Sequence, residues 1–472
     1  MSEIVVSAVL LACASFVPLN APSRPAARIT PLRLEAAGAV TDAPVRRGKY
    51  EATRAALAAA AQAGNGTGAR ELLNGMIVAT AAENRWPHPR CFDDAITACS
   101  RASPPLWEDA LEVLQQMSTV GLAPRAHAFN GAIAACARAG KPWKGVKLIN
   151  QMVATGVAPD VISFNAALNG ARVGGEATLA MQLLTRMRDR GLAPNEASYY
   201  CAISACKRAG AAANAVSLVD ALLSDGLSPT EQILTEALAA CGRDKGGRAG
   251  DAARLWSMLT ALRDGTEGGA PRPLDVRAYN ARLLERGAAD DWRAALEILD
   301  EMAGAGTPPD GSSCSLAARA CGRAGAWEEA IALLERCESA YAIAPDERMY
   351  ASAIQACGKA GETERALELL DEAEKMTKAS AKVYGAAIDM LAAVNGESGR
   401  CLELLTRMRA AGVEGDLGIY GAALHACQRE GAWKDVYDLL YLMRAEELTT
   451  AESMRPFHKS LWKRAKKELE KP

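Results

Sequence analysis

Apolar residues recur along this chain at helical spacing, in short stretches that are separated by glycine and proline. Within residues 126–160, Phe129, Ile133 and Cys136 lie three or four positions apart, which predicts one apolar stripe on a first helix. Gly140 breaks that pattern, and a second apolar stripe follows it. The segment therefore predicts a helical hairpin of two short helices.

The hairpin pattern recurs with a period of about 35 residues. The segment FNGAIAAC of residues 129–136 returns as FNAALNGA in residues 164–171, and GVAPD returns as GLAPN. Two short helices cannot bury both stripes alone, so each hairpin must stack on its neighbours. The predicted fold class is all-α, an α-solenoid of helix-turn-helix repeats. Ten repeats are predicted, over residues 89–125, 126–160, 161–195, 196–230, 231–275, 276–310, 311–346, 347–380, 381–416 and 417–451.

Segments at both ends of the repeats depart from the pattern. Residues 37–88, rich in alanine, predict a degenerate repeat that caps the N-terminal end, because a terminal hairpin would otherwise expose its stripe. Residues 452–472, rich in lysine and arginine, predict a basic capping helix at the other end. Within the fifth repeat, glycine-rich insertions at 243–250 and 265–273 predict edge loops.

Residues 1–36 predict a targeting presequence rather than part of the solenoid. Their apolar run, Ile4 to Ala14, is too short to cross a bilayer as a helix. Phe16 follows small residues, and the arginine-containing stretch after it has no acid before Glu35. This pattern resembles the two-part presequence of secondary plastids. A plastid is therefore the predicted location, with the mitochondrion as the next alternative and an untargeted chain as the third.

The repeat itself resembles the pentatricopeptide repeat. It shares the 35-residue length, the aromatic-Asn opening at Phe129-Asn130 and the closing Pro159-Asp160, and the letters AC and RAG close its first helix in an algal style. The resemblance implies a plain P-type, organelle-targeted protein with a right-handed superhelix. It also implies binding to single-stranded organellar RNA in processing, stabilisation or translation, without catalysis, and with other RNA-processing proteins as further partners.

In the resembled family, the fifth residue of a repeat reads one base together with the last residue. Short amide and hydroxyl side chains suit this role, because they present donors and acceptors to a base edge. Carried over to this chain, the resemblance implies a core sequence 5′-UCNGUG-3′, in which N corresponds to Tyr200. The implied pairs are Asn130 with Asp160 and Asn280 with Asp310 for uracil, Asn165 with Asn195 for cytosine, and Thr235 with Asp275 and Ser315 with Asp346 for guanine.

The second residue of a repeat flanks the base in the resembled family and is usually aliphatic. Ile162 fits that pattern. At other second positions, His127, Arg277, Arg348 and Lys382 are candidates for flanking a base or meeting a phosphate. Every terminal Asp or Asn also has a simpler alternative role, that of a helix cap.

The overall charge does not by itself indicate a nucleic-acid-binding protein. The formal net charge is −2, although affinity for a nucleic acid depends on a local basic surface rather than on the total. A scaffold for protein–protein interaction is therefore the alternative function. A basic surface on the first helices from Asn130 to Ser315 favours RNA, and an apolar or acidic surface favours a protein partner.

The remaining residue types predict no catalytic, metal or cofactor site, and no membrane partner. Seven of the 13 cysteines occupy the eleventh position of a repeat, where a small hydrophobe is expected in the core. The four histidines are scattered, and no catalytic motif is present. Five tryptophans near the start of second helices are interpreted as packing residues, with base stacking as the alternative. These are Trp107, Trp143, Trp292, Trp327 and Trp433.

Overall fold

The computed structural model describes residues 43–81, 86–244, 249–264, 273–376, 379–394, 396–445 and 456–469. Within these ranges the protein is built of α-helices and has no β-strand, so the prediction of an all-α solenoid is confirmed. The predicted presequence, residues 1–36, lies outside the described residues.

The helices follow one another in pairs along the chain. Their bounds are α1 Ala43–Ala63, α2 Gly66–Ala81, α3 Pro89–Arg101, α4 Trp107–Thr119, α5 Ala126–Arg138, α6 Pro142–Ala154, α7 Val161–Gly174, α8 Ala177–Asp189, α9 Glu196–Ala209, α10 Ala212–Ser224, α11 Glu231–Cys241, α12 Ala249–Asp264, α13 Val276–Ala288, α14 Trp292–Gly304, α15 Gly311–Ala324, α16 Trp327–Ser339, α17 Glu347–Ala360, α18 Thr363–Met376, α19 Ala381–Ala393, α20 Ser398–Ala410, α21 Leu417–Glu430, α22 Trp433–Ala445 and α23 Pro456–Leu469.

The odd-numbered helices α3 to α21 are first helices, and each begins at the first residue of a predicted repeat. Helices α1 and α2 lie in the predicted N-terminal capping repeat, and α23 lies in the predicted C-terminal capping segment. In the fifth repeat, α12 begins at Ala249, so residues 249 and 250 are helical although an edge loop was expected there. Residues 245–248 and 265–272, for which edge loops are predicted, lie outside the described ranges.

The chain forms two compact units, Met1–Ile233 and Leu234–Pro472. The first, here called the N-terminal unit, contains α1 to α10, and the second, the C-terminal unit, contains α12 to α23. The division between them falls inside α11.

Local sequence explains where the first helices begin and end. Three first helices begin with a reciprocal cap. The side chain of the cap residue accepts a hydrogen bond from the backbone N–H of the serine three residues later, and the hydroxyl of that serine accepts one from the backbone N–H of the cap residue. The cap residues are Asp160, Asn195 and Asp310. At the other end, Gly175 and Gly325 adopt φ angles of 71° and 78°. Glycine reaches this left-handed region without a steric cost, so it ends the helix cleanly.

Within each unit, a first helix packs against its own second helix and against neighbouring first helices. Aromatic side chains at the fourth position fill this contact, and Phe129, Phe164 and Tyr279 are fully buried. Cys136, at the eleventh position, is also fully buried, as predicted. Burial raises the pKa of its thiol to about 11, so this cysteine is a neutral core residue at physiological pH.

A basic side chain near the end of some first helices contacts the end of the preceding first helix. Arg323 donates to the carbonyl oxygen of Ala288 at 3.2 Å, and Arg429 donates to the carbonyl oxygens of Ala392 and Val394 at 2.6 and 2.8 Å. The last carbonyls of a helix lack intrahelical partners, so these bonds satisfy them and tie neighbouring hairpins together. The sequence signal is a Lys or Arg at the thirteenth position of seven repeats.

The tryptophans do not all have the predicted packing role. Trp292, Trp327 and Trp433 are the first residues of their helices and are partly buried. Trp143 is the second residue of α6, because the buried Pro142 takes the first place, and 54% of its surface is exposed. One residue turns a helix position by about 100°, so the indole points away from the packed face. The packing prediction is therefore wrong for Trp143.

Candidate nucleic-acid interface

Adjacent first helices bring together residues that are 30 positions apart in the sequence. Asn130 lies one turn into α5, and Asp160 is the N-cap of α7, the next first helix. Asn130 Nδ2 donates to Asp160 Oδ1 at 3.3 Å. The fifth and last residues of this repeat therefore touch each other, and Asp160 is both a helix cap and the partner of Asn130.

A third residue completes this contact. The hydroxyl of Ser163 lies 2.5 Å from Asn130 Oδ1 and 2.8 Å from Asp160 Oδ1. Ser163 is fully buried, and its single hydroxyl proton has these two acceptors within reach and is donated to one of them at a time. We call Asn130, Asp160 and Ser163 an amide triad, in which protein groups contact both ends of the Asn amide. The sequence analysis missed Ser163, although its signal is a serine at the third position of the following repeat.

The amide triad recurs twice more with nearly the same dimensions. In each case the first distance is from the Asn Nδ2 to the last residue, and the second is from the Ser hydroxyl to the Asn Oδ1. The triad of Asn165, Asn195 and Ser198 has distances of 3.2 and 2.6 Å, and the triad of Asn280, Asp310 and Ser313 has distances of 3.3 and 2.6 Å.

Two of the triads contain a stabilised carboxylate. Burial raises the pKa of Asp160, but hydrogen bonds from the backbone and hydroxyl of Ser163 and from Asn130 outweigh it. The pKa of Asp160 therefore lies below its ordinary value of 3.8. The same balance of burial against hydrogen bonds lowers the pKa of Asp310. Both triads thus carry a negative charge at neutral pH, whereas the triad that contains Asn195 is neutral.

The predicted guanine pairs are built differently. Ser315 is only 8% exposed, and its hydroxyl lies 2.7 Å from the carbonyl oxygen of Gly311 and 3.1 Å from Asp346 Oδ2. A hydroxyl has one proton, so Ser315 donates to one of these acceptors at a time. In the other predicted pair, Thr235 is half-buried on α11, and Asp275 caps α13.

The charged second-position residues lie beside acids. Arg348 contacts Asp346 Oδ2 through Nε at 2.9 Å and through a terminal nitrogen at 2.8 Å. Arg277 Nε likewise lies 2.8 Å from Oδ2 of Asp275, which is the last residue of the preceding repeat. Both arginine side chains are more than half exposed, so these are weak surface pairs for which a phosphate could compete.

The remaining second-position candidates are also on the surface. Lys382 Nζ lies 3.5 Å from Glu347 Oε1. His127 is exposed, and Ile162, next to the Asn130 triad, is 65% exposed. An aliphatic side chain so open to water beside a polar triad is the arrangement that the base-flanking interpretation of Ile162 requires.

Charge is distributed unequally between the two sets of helices. The ten first helices α3 to α21 contain 15 Lys and Arg against nine Asp and Glu, whereas the ten second helices α4 to α22 contain 15 against 22. From α5 to α15, the first helices contain nine basic and four acidic residues. The first helices, which hold the triads, are therefore the more basic set.

Among the described residues, no group of His, Cys, Asp or Glu side chains could hold a metal ion. None of the described helices combines the length and the apolar character that a membrane crossing needs.

These features define the protein as an α-helical repeat protein whose neighbouring hairpins hold polar side chains between them. Residues 88–270 match the family model of the pentacotripeptide-repeat region of PRORP, and residues 348–376 match the model of the PPR repeat. The chain belongs to the pentatricopeptide repeat proteins. Compared with curated proteins by sequence, the chain matches none.

Solved structures have a similar fold. The pentatricopeptide repeat protein PPR10 from maize matches with a TM-score of 0.58 and 20% identity, over 88% of this chain and 62% of PPR10. PPR10 in complex with an 18-nt psaJ RNA element matches with a TM-score of 0.60 and 18% identity, over 86% of this chain and 62% of that one. The chain thus spans less than two thirds of these relatives.

Proposed function

We propose that this chain is a sequence-specific single-stranded RNA-binding protein that acts in organelle RNA processing, stabilisation or translation without catalysis of its own. The observation that carries the proposal is the recurrence of the amide triad at the same place in three repeats. Because protein groups contact both ends of each Asn amide, its orientation is set before a ligand arrives, which lowers the entropic cost of binding.

Each triad leaves hydrogen-bonding capacity for one base edge. Asn130 uses one Nδ2 hydrogen on Asp160 and one Oδ1 lone pair on Ser163, and an amide has two of each. Asp160 Oδ1 and the Ser163 hydroxyl lie 2.8 Å apart, so they share the edge of the amide on which one N–H and one oxygen lone pair are adjacent. The remaining hydrogen and the remaining lone pair point away from that edge, and each can bond to a base on its own. A uracil presents a complementary N–H and carbonyl oxygen on its Watson–Crick edge, and a cytosine presents a ring nitrogen and an amino group.

The charge of the last residue separates these two pyrimidines. Asp160 and Asp310 are anionic, and a nearby negative charge favours a base edge that offers an N–H over one that offers a ring nitrogen lone pair. The repeats of Asn130 and Asn280 are therefore proposed to bind uracil. Asn195 is neutral and removes that bias, so its repeat is proposed to accept cytosine.

The hydroxyl pairs are proposed to favour guanine less strongly. Ser315 is nearly buried, and its proton has two protein acceptors within reach, so a base must compete for it. When the proposed bases are placed in the order of the repeats along the chain, the core is 5′-UCNGUG-3′. We expect the sharpest discrimination at the uracil and cytosine positions.

The charge distribution supports RNA over the alternative of a protein scaffold. The first helices from α5 to α15 have more basic than acidic residues, in a chain whose net charge is −2. A polyanion is attracted to helices with an excess of positive charge, whereas apolar or acidic helices would favour a protein partner. The complex of PPR10 with RNA supports the same choice for a protein of this fold.

The proposed mechanism is occupancy. A repeat protein that covers several nucleotides blocks an exonuclease, or releases a pairing partner of the covered strand. The location is proposed from the sequence pattern of residues 1–36, with a plastid first and the mitochondrion second. Fusion of residues 1–36 to a fluorescent protein tests the location, and a cytosolic signal would contradict it.

The decisive experiment is selection of bound RNAs from a random pool by residues 37–472 at near-physiological salt. Wild type should enrich a UCNGUG-like core, and Asn130→Thr should change the preference at the first position alone. The loss of one side-chain hydrogen bond to a base costs about 1 kcal/mol, so the change in preference should be measurable. The matched control is Asn214→Thr on the second helix α10, which should leave the preference unchanged.

Two outcomes would contradict the proposal. Retention of no RNA would favour the scaffold alternative. Enrichment of a sequence that Asn130→Thr and Asn280→Thr leave unchanged would mean that the amide triads do not read bases.

A further inference from the structure

The second helix α6 presents an exposed aromatic ring among lysines. Trp143 is 54% exposed, and Lys141, Lys144 and Lys147 are exposed around it. Helix α6 contains no acidic residue. Lys147 follows Trp143 by four positions, so its side chain lies on the same side of the helix as the indole, whereas Lys144 is turned by about 100° around the helix axis.

The neighbouring second helix extends this basic surface. A terminal nitrogen of Arg186 on α8 donates to Asn150 Oδ1 on α6 at 2.5 Å, which joins the two helices. Arg190 follows Arg186 by four positions and is exposed. Partial burial and the like charge of Arg190 lower the pKa of Arg186. We call Lys141, Trp143, Lys144, Lys147, Arg186 and Arg190 the outer basic patch.

The cations of this patch are not neutralised by the protein. Within the described part of the chain, none of the five makes an ion pair, although Asp189 lies between the two arginines in sequence. The cation nearest an aromatic ring is Lys144, whose Nζ lies 5.8 Å from the ring centre of Trp107. Positive charge without an internal partner is available to an external anion.

On the second helices of the C-terminal unit, by contrast, several arginines are paired with acids. Arg336 pairs with Asp300, Arg400 with Glu364 at 2.8 Å, and Arg407 with Asp371 at 2.5 Å, each across neighbouring repeats. A tryptophan followed by a lysine also occurs there, at residues 433 and 434, but Trp433 is partly buried beneath Arg464. The exposed ring of Trp143 thus lies among cations that make no ion pair within the described residues, whereas these C-terminal arginines are paired.

We propose that the outer basic patch binds single-stranded RNA outside the base-reading core, without sequence preference. An exposed ring can stack on any base, and lysine and arginine side chains meet phosphates, so one strand satisfies both parts of the patch. An acidic protein segment would satisfy the lysines but would offer no base to the indole. The inference rests on the proposed RNA binding and adds a second contact for the strand that flanks the core.

The test compares two RNAs, the hexamer UCAGUG and the same hexamer flanked by about ten uridines on each side. Wild type should bind the flanked RNA more tightly. The variant Lys141→Gln/Lys144→Gln/Lys147→Gln should lose that gain, and the salt dependence should fall by about two logarithmic units of slope for three lost phosphate contacts. Trp143→Ala should weaken binding of the flanked RNA about five-fold, and Trp143→Phe should restore it.

The matched control is Lys434→Gln, which removes the lysine that follows the partly buried Trp433 and should have no effect. Binding of the hexamer should be the same in every patch variant. Equal affinity of wild type and the patch variants for the flanked RNA overturns the inference. Displacement of the flanked RNA by poly-glutamate as readily as by poly-uridine also overturns it. Failure of the proposed function looks different, because wild type would then bind the flanked RNA without regard to the hexamer.

Discussion

The repeat that begins at Ala126 and the repeat that begins at Gly311 both end in an aspartate that caps the next helix, yet they use it differently. Asp160 joins Asn130 and Ser163 in an amide triad, whereas Asp346 is paired with Arg348 and approached by the nearly buried Ser315. The difference lies in the fifth residue, asparagine against serine, and in the second and third residues of the following repeat. A reading position therefore depends on the next repeat as well as on its own fifth and last residues.

The same comparison explains which contacts belong to capping and which belong to the triad. Asp416 caps α21 by accepting from the backbone N–H of Ile419 at 2.9 Å, and the fifth residue of its repeat is Gly385. Asp416 thus performs the capping role without a side chain at the fifth position. It is the natural control for Asp160.

The largest expected effect follows from removing the shared carboxylate. Asp160→Ala removes the cap of α7 and the partner of Asn130, and it should destabilise the α6–α7 region by about 2 kcal/mol. Asp416→Ala removes a cap alone and should cost about 1 kcal/mol. Hydrogen exchange of the amides of α7 and α21 in the full chain measures each local effect. Equal costs would mean that the triad adds nothing to the cap.

A smaller effect is expected from the hydroxyl of the triad. Ser163→Ala should cost about 1 kcal/mol, and by releasing one end of the Asn130 amide it should reduce discrimination between uracil and cytosine at this position. The control is Ser352→Ala, whose hydroxyl bonds within its own helix to the carbonyl oxygen of Arg348. Competition binding with single-base changes in the core measures the discrimination. An unchanged base preference in Ser163→Ala would show that the serine has no positioning role.

A still smaller change in stability is expected at the charged second position. Arg348→Ala removes an exposed ion pair, so the free energy of unfolding should change by about 0.5 kcal/mol or less. Because Asp346 loses its partner, the guanine preference of this repeat should change more than the stability does. Arg365→Ala, which removes an exposed pair with Glu368 within one helix, is the control. A stability loss several times larger would show that the arginine is structural.

The smallest expected effect is on the loss of stability at acidic pH. The pKa values of Asp160 and Asp310 are lowered in the folded protein, so their stabilisation is present above the ordinary value of 3.8 and is lost as the pH falls through the lower folded value. The double variant Asp160→Asn/Asp310→Asn should therefore show a flatter loss of stability in this acid range. Asn195 indicates that asparagine fits this place. Urea unfolding at several pH values measures the slope, and an unchanged slope would contradict the assignment.

Much of the fold could be predicted from the sequence because the signals are local and repeated. The first helices begin at the predicted residues, since a cap residue directly before the helix, an apolar stripe within it and often a glycine just after it are local signals. The pairing of Asn130 with Asp160 was implied only through the resemblance. Ser163 was missed because its hydroxyl reaches a residue of the preceding repeat, and no local pattern distinguishes that bond from a capping box.

The sequence by itself determined the period, the helical hairpins and the buried slots, since each follows from spacing along one helix. Tertiary structure decided which polar groups meet, because the Ser163 hydroxyl lies against Asn130 of the preceding first helix, 33 positions away in the sequence. It also decided the exposure of Trp143, where a one-residue shift in the start of α6 turned the indole to solvent. Exposure and pairing depend on neighbouring hairpins, and those neighbours are in place only after the repeats stack.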